Sequence, residues 1–151
     1  MPLKAAEKKL KIEQIRFRNY TFIPALVKRY GLIEYTEIGK DNLPVNLTLK
    51  NGLNQIGFVF SRNSNAKYTY RYKLLGKRNQ WKYAIATNLA YFEELKHGHY
   101  CFVLQELYEN KINQEIKYKF FNNLNFWLMI SDFLMLLPSI LFIYIIFKMK
   151  Y

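Results

Sequence analysis

Apolar residues change their spacing several times along this chain, and each change predicts a different element. Over Leu3–Tyr20, Leu3, Ala6, Leu10 and Phe17 recur near helical spacing, with Lys8, Lys9, Lys11, Arg16 and Arg18 around them. This predicts a basic amphipathic helix. Pro24 suits the first turn of a second short helix, stopped by Gly31. From Leu32 the period falls to two. Val45, Leu47 and Leu49 share one face of a strand over Leu43–Lys50, and Asn51-Gly52 predicts a hairpin turn into Leu53–Phe60. Tyr68, Tyr70 and Tyr72 then alternate with Lys67, Thr69, Arg71 and Lys73. A turn at Gly76–Asn79 leads into Gln80–Ala86, where Trp81, Tyr83 and Ile85 alternate with Lys82. Together these predict a four-stranded antiparallel sheet.

The helical period returns further on. Thr87 suits a cap for a helix through Lys96, ended by Gly98. Leu104, Tyr108, Ile112, Ile116 and Phe120 recur every four residues, which predicts a helix running from about Cys101 towards the C-terminal segment, with a strand over Tyr100–Tyr108 as the alternative. The expected fold class is therefore α+β: a small antiparallel sheet with flanking helices, followed by one C-terminal transmembrane helix.

That last helix is the plainest signal. Residues 124–147 read LNFWLMISDFLMLLPSILFIYIIF, followed by a Lys148–Tyr151 tail. At 1.5 Å per residue the segment is about 36 Å long, enough for a hydrocarbon core of about 30 Å. Its Leu, Ile and Phe residues favour insertion by about 5–9 kcal/mol, against about 2.5–3.5 kcal/mol lost to Asp132. Ser131, Asp132, Met135 and Ser139 fall on one stripe, together with Leu128 and Phe142. An ionisable group in lipid normally faces protein or water, so this stripe is the expected partner-helix interface. The organisation read from the sequence is a basic helical segment (1–30), a small basic α+β domain (31–123), a transmembrane helix (124–147) and a short basic tail (148–151). Lys117, Lys119, Lys148 and Lys150 flank both ends of the span. The larger basic mass precedes it and favours that side inside.

Net charge sharpens the choice of partner. With 23 Lys and Arg against 11 Asp and Glu, the chain carries +12, which favours anionic partners. Lys67, Arg71, Lys73, Lys77, Arg78, Lys117 and Lys119 are the expected contacts to anionic lipid or RNA. The Tyr68/Tyr70/Tyr72 alternation beside these cations suits either base stacking or simple core packing, and no RNA-binding signature accompanies it. His97, His99 and Cys101 alternate, but a closed zinc site needs a fourth ligand that the chain does not supply. A single cysteine forms no internal disulfide. No nucleophilic triad, phosphate loop or dinucleotide fingerprint occurs. The expectation is a protein that is not an enzyme and takes no cofactor and no catalytic metal.

The residue bias adds one resemblance. Tyr (13) and Phe (12) outnumber Gly (6) and Pro (4), and Lys, Asn and Ile are abundant, as A/T-rich codons dictate. In this the chain resembles orphan membrane subunits encoded in A/T-rich, ciliate-type mitochondrial genomes. The resemblance implies a non-catalytic accessory subunit of a respiratory-chain complex (cytochrome oxidase or complex I type) in electron transport. It would be single-pass in the mitochondrial inner membrane, with other subunits of that complex and phospholipids such as cardiolipin as partners, and nucleic acid unlikely. The alternatives are a tail-anchored receptor or tether of the outer mitochondrial or ER membrane, and a membrane-tethered RNA- or ribosome-binding protein.

Overall fold

The computed structural model describes residues 9–17, 20–21, 30–50, 52–63 and 66–123. Within them there is no helix. Twelve strands run in the order β1 (Ile12–Phe17), β2 (Tyr20–Thr21), β3 (Ile33–Glu34), β4 (Glu37–Ile38), β5 (Pro44–Val45), β6 (Leu47–Leu49), β7 (Ile56–Phe60), β8 (Tyr68–Leu75), β9 (Arg78–Tyr83), β10 (Leu89–Phe92), β11 (Gly98–Tyr108) and β12 (Lys111–Asn122). They form a four-stranded sheet ordered β10-β7-β1-β2, a six-stranded sheet ordered β3-β6-β12-β11-β8-β9 and a β4-β5 ribbon. The expected α+β class is thus corrected to all-β for the described residues.

Each mistaken helix has a physical reason. Leu10, Ile12, Ile15 and Phe17 are all buried, yet Leu10 only leads into β1, and the other three lie on it, with a register shift between Ile12 and Gln14. That bulge spaces the apolar residues at two, three and two, which imitates a helical stripe. Leu89–Phe92 pairs with β7 and buries Ala90 and Phe92, so Thr87 caps no helix. The four-residue period from Leu104 to Phe120 is a multiple of the strand period of two. It belongs to a long hairpin in which Leu104 faces Ile116 and Tyr100 faces Phe120. The turn is Glu109-Asn110, both at positive φ (48° and 66°), as a primed two-residue hairpin turn requires. The strand alternative over Tyr100–Tyr108 is the one the structure shows. The hairpin expected at Asn51-Gly52 does not form: β6 pairs with β12 and β3, whereas β7 pairs with β1 and β10. The chain there crosses between sheets.

The core lies where the sheets face each other, and aromatic rings join them. Phe58 of β7 stacks on Phe102 of β11 (centroids 4.2 Å apart, planes at 4°) and approaches Tyr118 and Phe120 of β12. Phe60 packs on Tyr70, and Phe92 meets both Tyr72 and Phe102 edge-on. Such pairs add about 0.5–1.5 kcal/mol each beyond burial. The three tyrosines of β8 therefore point into or along the core. β11 is buried on both faces because it is central. Its outward Val103 and Gln105 are covered between Lys73 and Arg71 of β8 and Lys117 and Glu115 of β12.

Among the described residues no helix is long and apolar enough to cross a membrane. The expected span 124–147, with its stripe Ser131, Asp132, Met135 and Ser139, lies outside the described residues, as do most of the predicted N-terminal helical positions.

Candidate functional site

Three regions combine polar groups in a way that core packing alone does not require. The first is the outer face of the six-stranded sheet. Alternation on β8 points Arg71 and Lys73 outward, and alternation on β12 does the same for Glu115, Lys117 and Lys119. Register sets them in rungs: Arg71–Gln105–Glu115, Lys73–Val103–Lys117 and Leu75–Cys101–Lys119. Trp81 of β9 lies against both Arg71 and Lys73, whose charged heads sit 4.5 and 4.4 Å from its ring centroid. Gln105 accepts from Arg71 Nε at 2.8 Å and donates to Glu115. Glu115 also pairs with Lys117 at 2.9 Å. The hydrogen bond from Gln105, then that from Lys117, hold the Glu115 carboxyl below its ordinary range, and Glu115 in turn raises Lys117. Arg71, Lys73 and Lys117 are thus positioned by their neighbours.

At one end of this face lies a cleft of about 610 Å³ lined by Asn46, Thr48, Gly76, His99, Lys119 and Phe121, among others. Gly76 is there for a steric reason. Its φ is +97°, and a Cβ would come within 2.5 Å of the His99 carbonyl oxygen. His97 and His99 both pack against the Phe121 ring. Among the described residues no three His, Cys, Asp or Glu groups are placed to hold a metal.

The second region is a buried polar knot at the Glu109-Asn110 end of the sandwich. Glu106, 2 % exposed, accepts from Tyr70 Oη at 2.7 Å, Asn113 Nδ2 at 2.8 Å and Gln114 Nε2 at 3.2 Å. Tyr70 Oη accepts from the Asn63 amide at 2.7 Å, and Gln114 accepts from the Leu10 amide at 2.8 Å. Burial is the main reason the Tyr70 hydroxyl is pushed up to about 12, with the Glu106 carboxylate adding to it.

The third is the opposite end, where β12 runs out. Asn122 is 1 % exposed, and its amide donates to the Leu95 and Lys96 carbonyls at 2.9 and 3.1 Å. The Asn123 amide donates to Leu49. Here β12 is held on one side by β11 and on the other by parallel pairing with β6. The last described residue therefore leaves from inside a sheet, not from an edge.

Of the seven cations expected to contact an anion, the structure gathers Arg71, Lys73, Lys117 and Lys119 on one face. Lys77 bonds the Glu93 carbonyl oxygen in the β8–β9 turn region. Arg78 begins β9 opposite Leu74 and points to the other face. Lys67 sits at the far end, paired with Glu109 at 3.2 Å, and that hydrogen bond raises its ammonium above the ordinary range. Sequence reasoning missed Gln105, Glu115 and Phe121 as parts of this face, because it read β11 and β12 as helical, and it weighed His99 only as a metal ligand beside His97 and Cys101.

Residues 61–120 match the family model of the Y_Y_Y domain. The match takes in the tyrosine alternation of β8 and runs nearly to the end of β12. No curated protein matches the sequence. Among solved structures, the chain is similar to the extracellular domain of BT4673 from B. thetaiotaomicron, described in one structure as a one-component system. There the TM-score is 0.57 at 16 % identity, covering 78 % of this chain and 16 % of that one. A second structure describes BT4673 as a hybrid two-component system (TM-score 0.56, with the same identity and coverage). The extracellular domain of BT3049, a hybrid two-component system from the same organism, matches at TM-score 0.52 and 16 % identity, over 76 % of this chain and 15 % of that one. At this identity the likeness is one of fold, and the chain spans about one sixth of the length of those structures.

These findings overturn the functional expectation. The relatives by fold are extracellular domains of bacterial signalling systems. They do not support an accessory subunit of cytochrome oxidase or complex I, nor the outer-membrane tether and RNA-tethering alternatives. The mitochondrial inner membrane as location, and respiratory subunits with cardiolipin-type phospholipids as partners, fall with it. Composition does not specify a compartment, because A/T-rich codons raise Lys, Asn, Ile, Phe and Tyr in any A/T-rich genome.

Proposed function

We propose that this chain is a non-catalytic, extracytoplasmic β-sandwich module of a sensor protein, and that it joins a sensing region to a membrane anchor. The observation that carries the reading is the path of β12. It is an inner strand of the larger sheet, paired on both sides over its last three residues, Phe120–Asn122, and the sequence continues from it into the apolar segment 124–147. The fold likeness to extracellular domains of one- and two-component systems supports the same reading. In this reading the segment 124–147 is the anchor and Lys148 and Lys150 lie on the inner side. Long segments and whole domains translocate largely regardless of their own charge, so the basic sandwich is no obstacle to that orientation.

The test is membrane topology. The full chain is expressed in a Gram-negative host with an alkaline phosphatase reporter joined after Asn123 or after Tyr151. The proposal expects an active reporter at the first position and an inactive one at the second. The reverse pattern, or full release of the chain by alkaline carbonate washing, would overturn it.

A further inference from the structure

We propose that the free edge of β9 takes up an extended peptide as an added antiparallel strand, and that the peptide it selects alternates acidic with apolar residues. β9 is the last strand of the six-stranded sheet and pairs with β8 alone. Among the described residues the other outermost strands of the two sheets are shorter: two residues each in β2 and β3 and four in β10, against six in β9. A short edge strand is a common defence against strand addition, and β9 lacks it. Its register with β8 shifts between Tyr72 and Leu74, towards the Arg78 end. The other end is regular: Lys82 lies opposite Tyr72, Tyr83 opposite Arg71, and the Ala84 amide donates to the Tyr70 carbonyl oxygen at 2.9 Å. In an antiparallel ladder such bonds belong to every second residue. The Tyr83 N–H and C=O therefore point to the open side, where no described strand meets them.

The two margins of this edge differ in chemistry. On the outer face, alternation sets Trp81, Tyr83 and Ile85 in one row. Tyr83 is 57 % exposed and Ile85 88 %, although both are large apolar residues on a free edge. The margin turned towards the four-stranded sheet carries cations. Lys82 lies opposite Tyr72 and Arg78 opposite Leu74. Arg62 sits over the Tyr70 ring and donates to the Ile85 and Thr87 carbonyl oxygens. Below Lys82 a groove of about 450 Å³ opens between the β9 and β10 edges, with Lys77, Arg78, Gln80 and Lys82 on one wall and Glu93 and Glu94 on the other. Lys77 already bonds the Glu93 carbonyl oxygen across it. A strand alternates its side chains between two faces. One that places apolar groups against Tyr83 and Ile85 and carboxylates towards Lys82 and Arg62 satisfies both margins at once. A second copy fits less well. Joining two β9 edges brings Arg62, Arg78 and Lys82 of each beside those of the other, in a chain carrying +12. The proposal goes beyond the sensor reading and stands without it.

The experiment uses the full chain in neutral-lipid nanodiscs and a short capped peptide alternating Glu with Val as the probe. Binding is expected, weakening with salt. A peptide alternating Lys with Val, and one of the same composition with its Glu residues grouped together, are expected not to bind. The residues opposite Tyr83 are the valines, so N-methylation at Val should abolish binding and N-methylation at Glu should leave it. Lys82→Glu is expected to weaken the Glu-Val peptide about tenfold or more and to admit the Lys-Val peptide. Tyr83→Pro removes the outward N–H without touching the β8 ladder and is expected to weaken binding about tenfold or more. Tyr83→Thr, which keeps that N–H, is expected to bind more tightly than Tyr83→Pro. Lys40→Glu makes the same charge change as Lys82→Glu in the connection between β4 and β5 and is expected to leave binding unchanged. Thermal melting checks that every variant is folded, and the N-methylated peptides decide even where a variant is not. The proposal is overturned by no binding of the Glu-Val peptide, by equal binding of the Lys-Val or grouped peptide, or by unchanged binding after N-methylation at Val. It is also overturned by unchanged binding in folded Lys82→Glu. Self-association of the chain that Tyr83→Pro abolishes would make a second copy the occupant and overturn it, as would oligo-dT binding as tightly with the same dependence on the variants.

Discussion

Replacing Tyr70 by Phe tests the polar knot with almost no change in packing. The ring, 1 % exposed and 5.8 Å from Phe60 by centroid, stays in place. What is lost is a hydroxyl that donates to Glu106 at 2.7 Å and accepts from the Asn63 amide at 2.7 Å. A hydrogen bond to a charged group contributes about 1.5–3 kcal/mol. Asn63 is half-buried, so water replaces its acceptor at little cost. The expected loss is about 2 kcal/mol, or roughly 8 °C or more in Tm for a domain of this size. Urea unfolding followed by tryptophan fluorescence measures it. A double-mutant cycle with Glu106→Gln should show coupling of about 1 kcal/mol or more. The alkaline limb gives a second readout. Tyr70 titrates near 10 when unfolded and about 12 when folded, chiefly because it is buried. A raised folded value stabilises fully below pH 10, and that stability drains away as pH climbs from 10 to 12. Burial raises Tyr72 and Tyr118 in the same direction, so the variant should keep part of the alkaline slope and lose part. Stability within about 0.5 kcal/mol of the parent at pH 7, together with an unchanged slope between pH 10 and 12, would refute the reasoning.

Three further changes probe the frame. Gly76→Ala should destabilise by about 2 kcal/mol or more in urea titration, because φ is +97° and the new Cβ meets the His99 carbonyl oxygen at 2.5 Å. Phe58→Ala should cost about 3–5 kcal/mol in urea titration, since its ring touches both sheets. Glu94→Gly should raise stability by about 0.5–1 kcal/mol, because exposed Glu94 sits at φ +53°, where glycine is unstrained.

How much of this was legible in the sequence depended on whether a period could be read in only one way. Tyr68, Tyr70 and Tyr72 alternate strictly, so β8 was plain, and Gly76 marked the turn into β9. β11 and β12 were not plain. Their largest apolar residues fall four apart, and nothing in Glu109-Asn110 announces a hairpin as Asn-Gly would. Asn51-Gly52 did announce one, yet tertiary pairing placed its flanking strands in different sheets. β1 hid behind a bulge. The basic face suffered accordingly. Arg71 and Lys73 were visible as neighbours from alternation alone, but placing Lys117 and Lys119 on the same face needs the register across β11. Glu106 gave no local sign of being buried, since its three donors come from Tyr70, Asn113 and Gln114 on the neighbouring strands.

The two ends of the sandwich answer to different demands, and the long hairpin joins them. At one end Glu106 ties β8, β11, β12 and the Leu10 segment into one polar unit. At the other, Asn122 and the parallel β6 pairing fix where β12 leaves the sheet. Because β12 is paired along nearly its whole length with β11, it cannot slide by one residue without reversing every side chain it presents. Displacement of one end of the hairpin is therefore transmitted to the exit as motion of the whole sheet. A strand at a sheet edge could peel away one hydrogen bond at a time, whereas Phe120–Asn122, held between β11 and β6, must move with both neighbours. The same pairing fixes the rungs of Arg71, Lys73, Lys117 and Lys119 relative to that exit.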